Sequence, residues 1–161
     1  QVKASLMKAA TSLGYPTNVQ GKGIVDAVAA LRSKPLSVWD IDDNDEVSQS
    51  DAIIIIKYLF GYTGAELVNG LIGSTAKRTS VEAITSYLDQ IKKGCFLDPD
   101  GNGRSDALSD GILLYRGAVL GESGEALIAA AIDPGGTRNT ADKVRDFIFY
   151  GDLASPPGAC H

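Results

Sequence analysis

The sequence predicts an all-α fold: two duplicated units, each an acidic loop followed by three helices, preceded by a helical hairpin. Three observations carry that expectation. Ten of the 20 Asp and Glu residues fall in two short windows, 40–51 and 98–110, so the acids are organised rather than scattered. Each window leads into an apolar stretch, Ala52 to Gly61 and Gly111 to Gly121. The two halves also match. Gly61-Tyr-Thr-Gly64-Ala-Glu-Leu-Val aligns with Gly121-Glu-Ser-Gly124-Glu-Ala-Leu-Ile, and Ile84, Tyr87 and Leu88 align with Val144, Phe147 and Ile148. The offset is 58 residues between Asp40 and Asp98 and 60 between Gly61 and Gly121. A period near 60 marks a duplicated supersecondary unit.

Composition narrows the function before any motif is sought. A chain of 161 residues can bury a core, and 44% apolar with 22% charged residues is globular composition. The net charge of −5 argues against a nucleic-acid groove. No apolar run reaches the length needed to cross a membrane. The one histidine is His161, which removes a Ser-His-Asp triad, a Cys-His dyad and a His-based zinc site. The chain begins at Gln1 without a signal peptide, so we expect a processed chain or part of a longer one.

The N-terminal segment reads as a helical hairpin. Val2, Leu6, Met7, Ala10 and Leu13 form a helical stripe that Gly14 ends. A turn-rich stretch, Tyr15 to Lys22, leads to an Ala-rich helix over Gly23 to Leu31. Arg32 to Ser37 is a linker. The expected organisation is residues 1–35, a first unit over 38–93, a second over 94–151, and a tail over 152–161.

The first acidic window runs from Asp40 to Asp51. Oxygen-bearing side chains stand at positions 1, 3, 5, 9 and 12: Asp40, Asp42, Asn44, Ser48 and Asp51. Position 7, Glu46, needs only its main-chain carbonyl. This is the ligand order of an EF-hand calcium loop, in which alternate residues converge on one hard cation. Position 6 is Asp45 where glycine eases the turn, although Asp tolerates left-handed dihedrals better than most residues.

The second window supplies Asp98, Asp100 and Asn102 at positions 1, 3 and 5, Gly103 at position 6, Arg104 through its carbonyl at position 7, and Asp106 at position 9. Its closing acid, Asp110, comes one residue late. Either the helix start bulges or Ser109 takes the acid's place. Two such loops imply two bound calcium ions; the alternative is two acidic turns that cap helices without metal.

Three helices should follow each loop. The first, about 51–60, carries an Ile run that would also suit a buried strand, but the loop must deliver its last ligand from a helical first turn. The second is short, near 65–72, with Thr63 and Glu66 as a capping box. The third spans about 80–92, capped by Thr79 and Glu82, with Asn139 and Asp142 in the matching place. Glycines 61, 64, 121 and 124 belong at helix ends. Arg78 and Arg138 recur before the third helices. They could bind a carboxylate or carbonyl, but a surface charge is the favoured reading.

The Asp-x-Asp-x-Asn loop, the closing Asp and the helix ending Lys57-Tyr58-Leu59-Phe60-Gly61 resemble dockerin repeats over residues 38 to about 62 and 96 to about 121. Dockerins are secreted, calcium-dependent modules that bind cohesins. The resemblance implies partner choice at loop positions 10 and 11, here Gln49 and Ser50, and Ala107 and Leu108.

Gln1-Val2-Lys3, Ala9 to Gly14 and Gly21 to Ala27 resemble the last two helices of a subtilisin-like serine peptidase domain. That family's nucleophile motif and its catalytic Asp and His would lie upstream of Gln1, so no catalytic residue carries over and the chain is not an enzyme on its own.

Three functions follow: a secreted calcium-binding interaction module, a protomer of an extracellular fibre or surface assembly, or a fragment of an active protease. The partner is a cohesin-like protein or another copy of the chain, with no nucleic acid and no membrane span. An extracellular or cell-surface location favours a disulfide. Cys95 and Cys160 are too few for a disulfide scaffold and fit no metal motif; one bridge joining them is the leading reading, with two free thiols as the alternative.

Overall fold

A computed structural model describes Ala10, Thr11, Ile24, Val25 and residues 37–151. The chain divides into two compact units, residues 1–34 and 35–161. Within the first, strands β1 (Ala10–Thr11) and β2 (Ile24–Val25) pair antiparallel, Ala10 opposite Val25 and Thr11 opposite Ile24. At these four positions the backbone is extended where the sequence predicted two helices. Cross-strand pairing has overridden the local helical stripe there, as tertiary context commonly does. The rest of the expected hairpin lies outside the described residues.

The second unit is helical, as the sequence predicted. A single 3₁₀ turn, Ser37–Trp39, leads into the first acidic loop. Helix α1 (Gln49–Leu59) follows, then the one-turn α2 (Ala65–Val68) and α3 (Val81–Lys93). After the second acidic loop come α4 (Asp110–Leu114), a π-helical turn over Tyr115–Val119, the one-turn α5 (Glu125–Ile128) and α6 (Ala141–Tyr150). The Ile run of residues 53–56 is helical, with Ile54 and Ile55 buried.

One core serves all of these elements. Trp39, Ile41, Ile54, Leu67, Ile84 and Leu88 pack in the same cluster as Leu97, Leu113, Leu127, Val144, Phe147 and Ile148. Burying each large side chain contributes about 1.5–3 kcal/mol before the entropy of ordering it. Helix α3 shows the pattern plainly: Ile84, Leu88 and Ile91 recur on one stripe and are buried. Close helix approach uses glycine. A Cβ on Gly111 would stand 2.9 Å from Ile56 Cγ1 of α1, and one on Gly117 would stand 2.4 Å from Ile148 Cδ1 of α6.

The helix ends correct several expectations. Helix α3 starts one residue later than predicted. Ser80, not Thr79, is its cap, and the Ser80 hydroxyl accepts a hydrogen bond from Ala83 N at 3.1 Å. Likewise Thr140, not Asn139, caps α6 and accepts from Lys143 N at 3.4 Å. Glu82 and Asp142 then sit in the first turn, where they favour the helix dipole without closing a capping box. The Thr63–Glu66 box does not form either: Gly64, with φ 60°, precedes α2. Gly61, at φ 84°, ends α1 in a Schellman arrangement. Gly61 N donates to Tyr58 O at 2.9 Å and Tyr62 N to Lys57 O at 3.0 Å.

The drift in offset has a structural counterpart. From Asp51 to Gly61 is 10 residues, and from Asp110 to Gly121 is 11. The additional residue is taken up in the π turn, where Leu120 N donates to Tyr115 O at 3.1 Å, five residues back.

Candidate metal centres

Asp40, Asp42 and Asp51 each bring a carboxylate oxygen within 4.8 Å of the other two, and so do Asp98, Asp100 and Asp110. All six residues are buried. Two buried acidic clusters of this kind could hold metal ions.

Local backbone conformation folds each loop around its first aspartate. Asp40 Oδ1 accepts from Asn44 N at 3.0 Å and Asp40 Oδ2 from Asp45 N at 2.8 Å. Asp98 Oδ1 accepts from Gly101 N at 2.8 Å and Asn102 N at 3.1 Å, and Asp98 Oδ2 from Gly103 N at 3.0 Å. Such tight wrapping needs left-handed backbone at positions 4 and 6. Gly101 and Gly103 supply it with φ of 72° and 83°; Asp43 and Asp45 supply it with φ of 57° and 69°. Asp45 therefore takes the glycine conformation, as expected of a residue tolerant of it.

The closing acids arrive from the helices. Asp51 lies in the first turn of α1. Its Oδ1 accepts from Ile41 N at 2.7 Å and its Oδ2 from Ser48 N at 2.8 Å, so one carboxylate joins the loop's start to the helix cap. Asp110 opens α4 and accepts from Asp106 N at 2.7 Å through Oδ2. Asp110, one residue late, joins the trio; Ser109 stands at the N-cap position of α4 without a side-chain cap hydrogen bond, and its hydroxyl donates to Asp110 Oδ2 at 3.3 Å.

One oxygen in each trio has no hydrogen-bond partner although it is buried: Asp42 Oδ1 and Asp110 Oδ1. Burial pushes the Asp42 and Asp100 carboxyls above their ordinary range, and neighbouring carboxylates add to the rise. Burial raises Asp110 furthest, to about 7; the Asp106 N–H opposes this, and the Asp100 and Asp98 carboxylates reinforce it. Desolvated, mutually repelling carboxylates with an orphaned oxygen fit a hard cation that supplies the missing charge and coordination.

The other predicted ligands lie outside the trios. Asn44 Oδ1 accepts from Glu46 N at 2.9 Å and Asn102 Oδ1 from Arg104 N at 2.8 Å, each closing a local turn. The Glu46 and Arg104 side chains are exposed. Asp106 contributes its N–H to Asp110, but its side chain is exposed and faces Arg104 Nε at 3.6 Å. Cys95 is disulfide-bonded; Cys160, the partner expected from the sequence, lies outside the described residues.

Arg78 and Arg138 are not surface charges. The Arg78 guanidinium donates to Asp40 O at 3.2 Å and to Ile41 O, and lies 3.8 Å from the Tyr87 ring centroid. Arg138 donates to Pro99 O at 2.8 Å and to Asp98 O, and lies 4.2 Å from the Phe147 ring centroid. Their recurrence before α3 and α6 was the available sequence signal. The contact itself spans nearly 40 residues of chain, beyond any local pattern.

Comparison with models of known protein families, with curated proteins and with solved structures returned no match.

Proposed function

We propose that this chain is a secreted, non-catalytic, calcium-binding module of dockerin-like duplicated units that mediates protein–protein interaction or anchoring, as the C-terminal part of a subtilisin-like protein. The observation that carries the reading is the pair of buried aspartate trios, each with one carboxylate oxygen left without a partner. All-oxygen donors select hard cations over zinc or copper. Calcium is the better fit of the hard cations, because a loop offering carboxylates and main-chain carbonyls can surround it, whereas magnesium keeps much of its water.

Two further features support the reading. A disulfide at Cys95, next to the second loop, suits an oxidising compartment, where calcium is also abundant. Phe60 and Leu108 are 55% and 68% exposed and line one shallow cleft with Leu59, Ala107, Asp106 and Ser109, a part-apolar surface suited to a protein partner. The same surface could join copies in an assembly, and native mass distinguishes a monomeric module from a polymer.

The test is calorimetric titration with calcium. Two ions should bind, and each site adds about 2.7 kcal/mol of stability at calcium 100-fold above its dissociation constant. Thermal melts that coincide with and without EDTA would overturn the proposal.

A further inference from the structure

The segments before α3 and α6, residues 73–78 and 133–138, are laid against the two acidic loops with closely similar hydrogen bonds. Lys77 N and Arg78 N donate to Asp42 O at 3.0 and 2.9 Å. Arg138 N donates to Asp100 O at 2.8 Å, and Thr137 N to Gly101 O at 3.2 Å. Gly73 N reaches Asp42 Oδ2 at 3.4 Å, and Asp133 N reaches Asp100 Oδ2 at 3.0 Å. The second aspartate of each trio thus has one oxygen tied to this segment. In the first loop that leaves Asp42 Oδ1 as the orphan that a cation would complete. The fit is close at the second loop, where a Cβ on Gly136 would stand 2.4 Å from Asp100 O.

Each arginine completes the brace by binding the carbonyls of loop positions 1 and 2 while its Cζ lies over an aromatic ring of the following helix. A guanidinium is suited to this. It offers several donors in a fixed plane and stacks on rings, neither of which an ammonium reproduces. Tyr87, beneath Arg78, is itself anchored through its hydroxyl, which donates to Val38 O at 2.8 Å.

We propose that Arg78 and Arg138 are positioning residues that hold the first and second acidic loops in their cation-binding shape through the carbonyls of Asp40 and Ile41 and of Asp98 and Pro99. The inference rests on the reading of the trios as calcium sites. The electrostatic sign makes it testable. A fixed cation beside an acidic trio repels calcium, so on charge alone removing the arginine should tighten binding. On positioning, removal should weaken it, because outer partners of metal ligands typically contribute about 10- to 100-fold in affinity.

The experiment is calcium titration of the full chain and of Arg78→Lys, Arg138→Lys and the two alanine variants. Arg→Lys keeps the charge and removes the planar fork. Each substitution should weaken one site by about tenfold or more and leave the other unchanged, which also reports that the variant is folded. In an Asp42→Asn background, which disables the first site, Arg78→Lys should change nothing further. Unchanged or tighter binding in the lysine and alanine variants would overturn the proposal. So would equal weakening of both sites, which would make the arginines supports of the whole unit. Absence of calcium binding by the unmodified chain would instead overturn the metal reading on which the proposal rests.

Discussion

Asp110→Asn should have opposite effects with and without calcium. Asp110 is fully buried, its carboxyl raised from 3.8 to about 7. The metal-free fold therefore binds this proton more tightly than the unfolded chain does. Stability of the metal-free protein falls as pH rises from about 4 to about 7, and the whole cost is present above that window. A rise of about 3 pH units at about 1.4 kcal/mol each sets it near 4 kcal/mol. Asparagine keeps the shape and can still accept from Asp106 N, while removing the charge that Asp98 and Asp100 repel. In EDTA at pH 7.5 the variant should be more stable than the unmodified chain. Even half of the full effect would raise Tm by about 4–8 °C for a domain of this size. In saturating calcium the order should invert, because the variant loses a ligand. Differential scanning calorimetry in both buffers reads the crossing. A variant less stable than the parent in EDTA as well as in calcium would refute the argument that burial and carboxylate repulsion dominate this site.

Other outcomes follow from the same geometry. Gly136→Ala forces a methyl group against Asp100 O and should cost about 1–3 kcal/mol, with calcium weakened at the second site alone; equal effects on both sites in a titration would count against the brace. Asp106→Ala removes an exposed partner of Arg104 but keeps the N–H to Asp110, so stability should change by less than about 1 kcal/mol and the calcium titration should be nearly unaltered. A large loss at the second site would return Asp106 to the ligands. Thiol labelling of the unreduced protein should find no reactive cysteine, since Cys95 is bonded and the chain has two cysteines. A Cys95–Cys160 bridge would close a loop of about 65 residues, worth roughly 4 kcal/mol in the chain-entropy model, so reduction should lower Tm.

Much of the candidate site was legible because its grammar is local. Each loop wraps its first aspartate only if the backbone turns left-handed at positions 4 and 6, and the sequence places Gly or Asp there, at 43, 45, 101 and 103. The closing acid must come from a helical first turn, which is why the Ile run reads correctly as α1 rather than a strand. The caps were legible only to within one residue. Thr79 and Ser80 are both capping types, as are Asn139 and Thr140, and the choice falls to whichever hydroxyl meets the free N–H.

By itself the sequence determined two acidic loops, the helices after them and the aspartates able to share a cation, since all of these follow from spacings shorter than about a dozen residues. Tertiary structure decided the rest. It paired Ala10–Thr11 with Ile24–Val25 where the local stripe favoured helix, because ladder hydrogen bonds depend on a partner strand. It brought Asp110 into the second trio, left the Asp106 side chain exposed beside Arg104, and took up the surplus residue as a π turn whose Gly117 packs against Ile148. It also set Arg78 and Arg138 on loop carbonyls 37 to 40 residues away. An arginine's role depends on which carbonyls and which ring the packed core brings to it, and no local spacing contains that information.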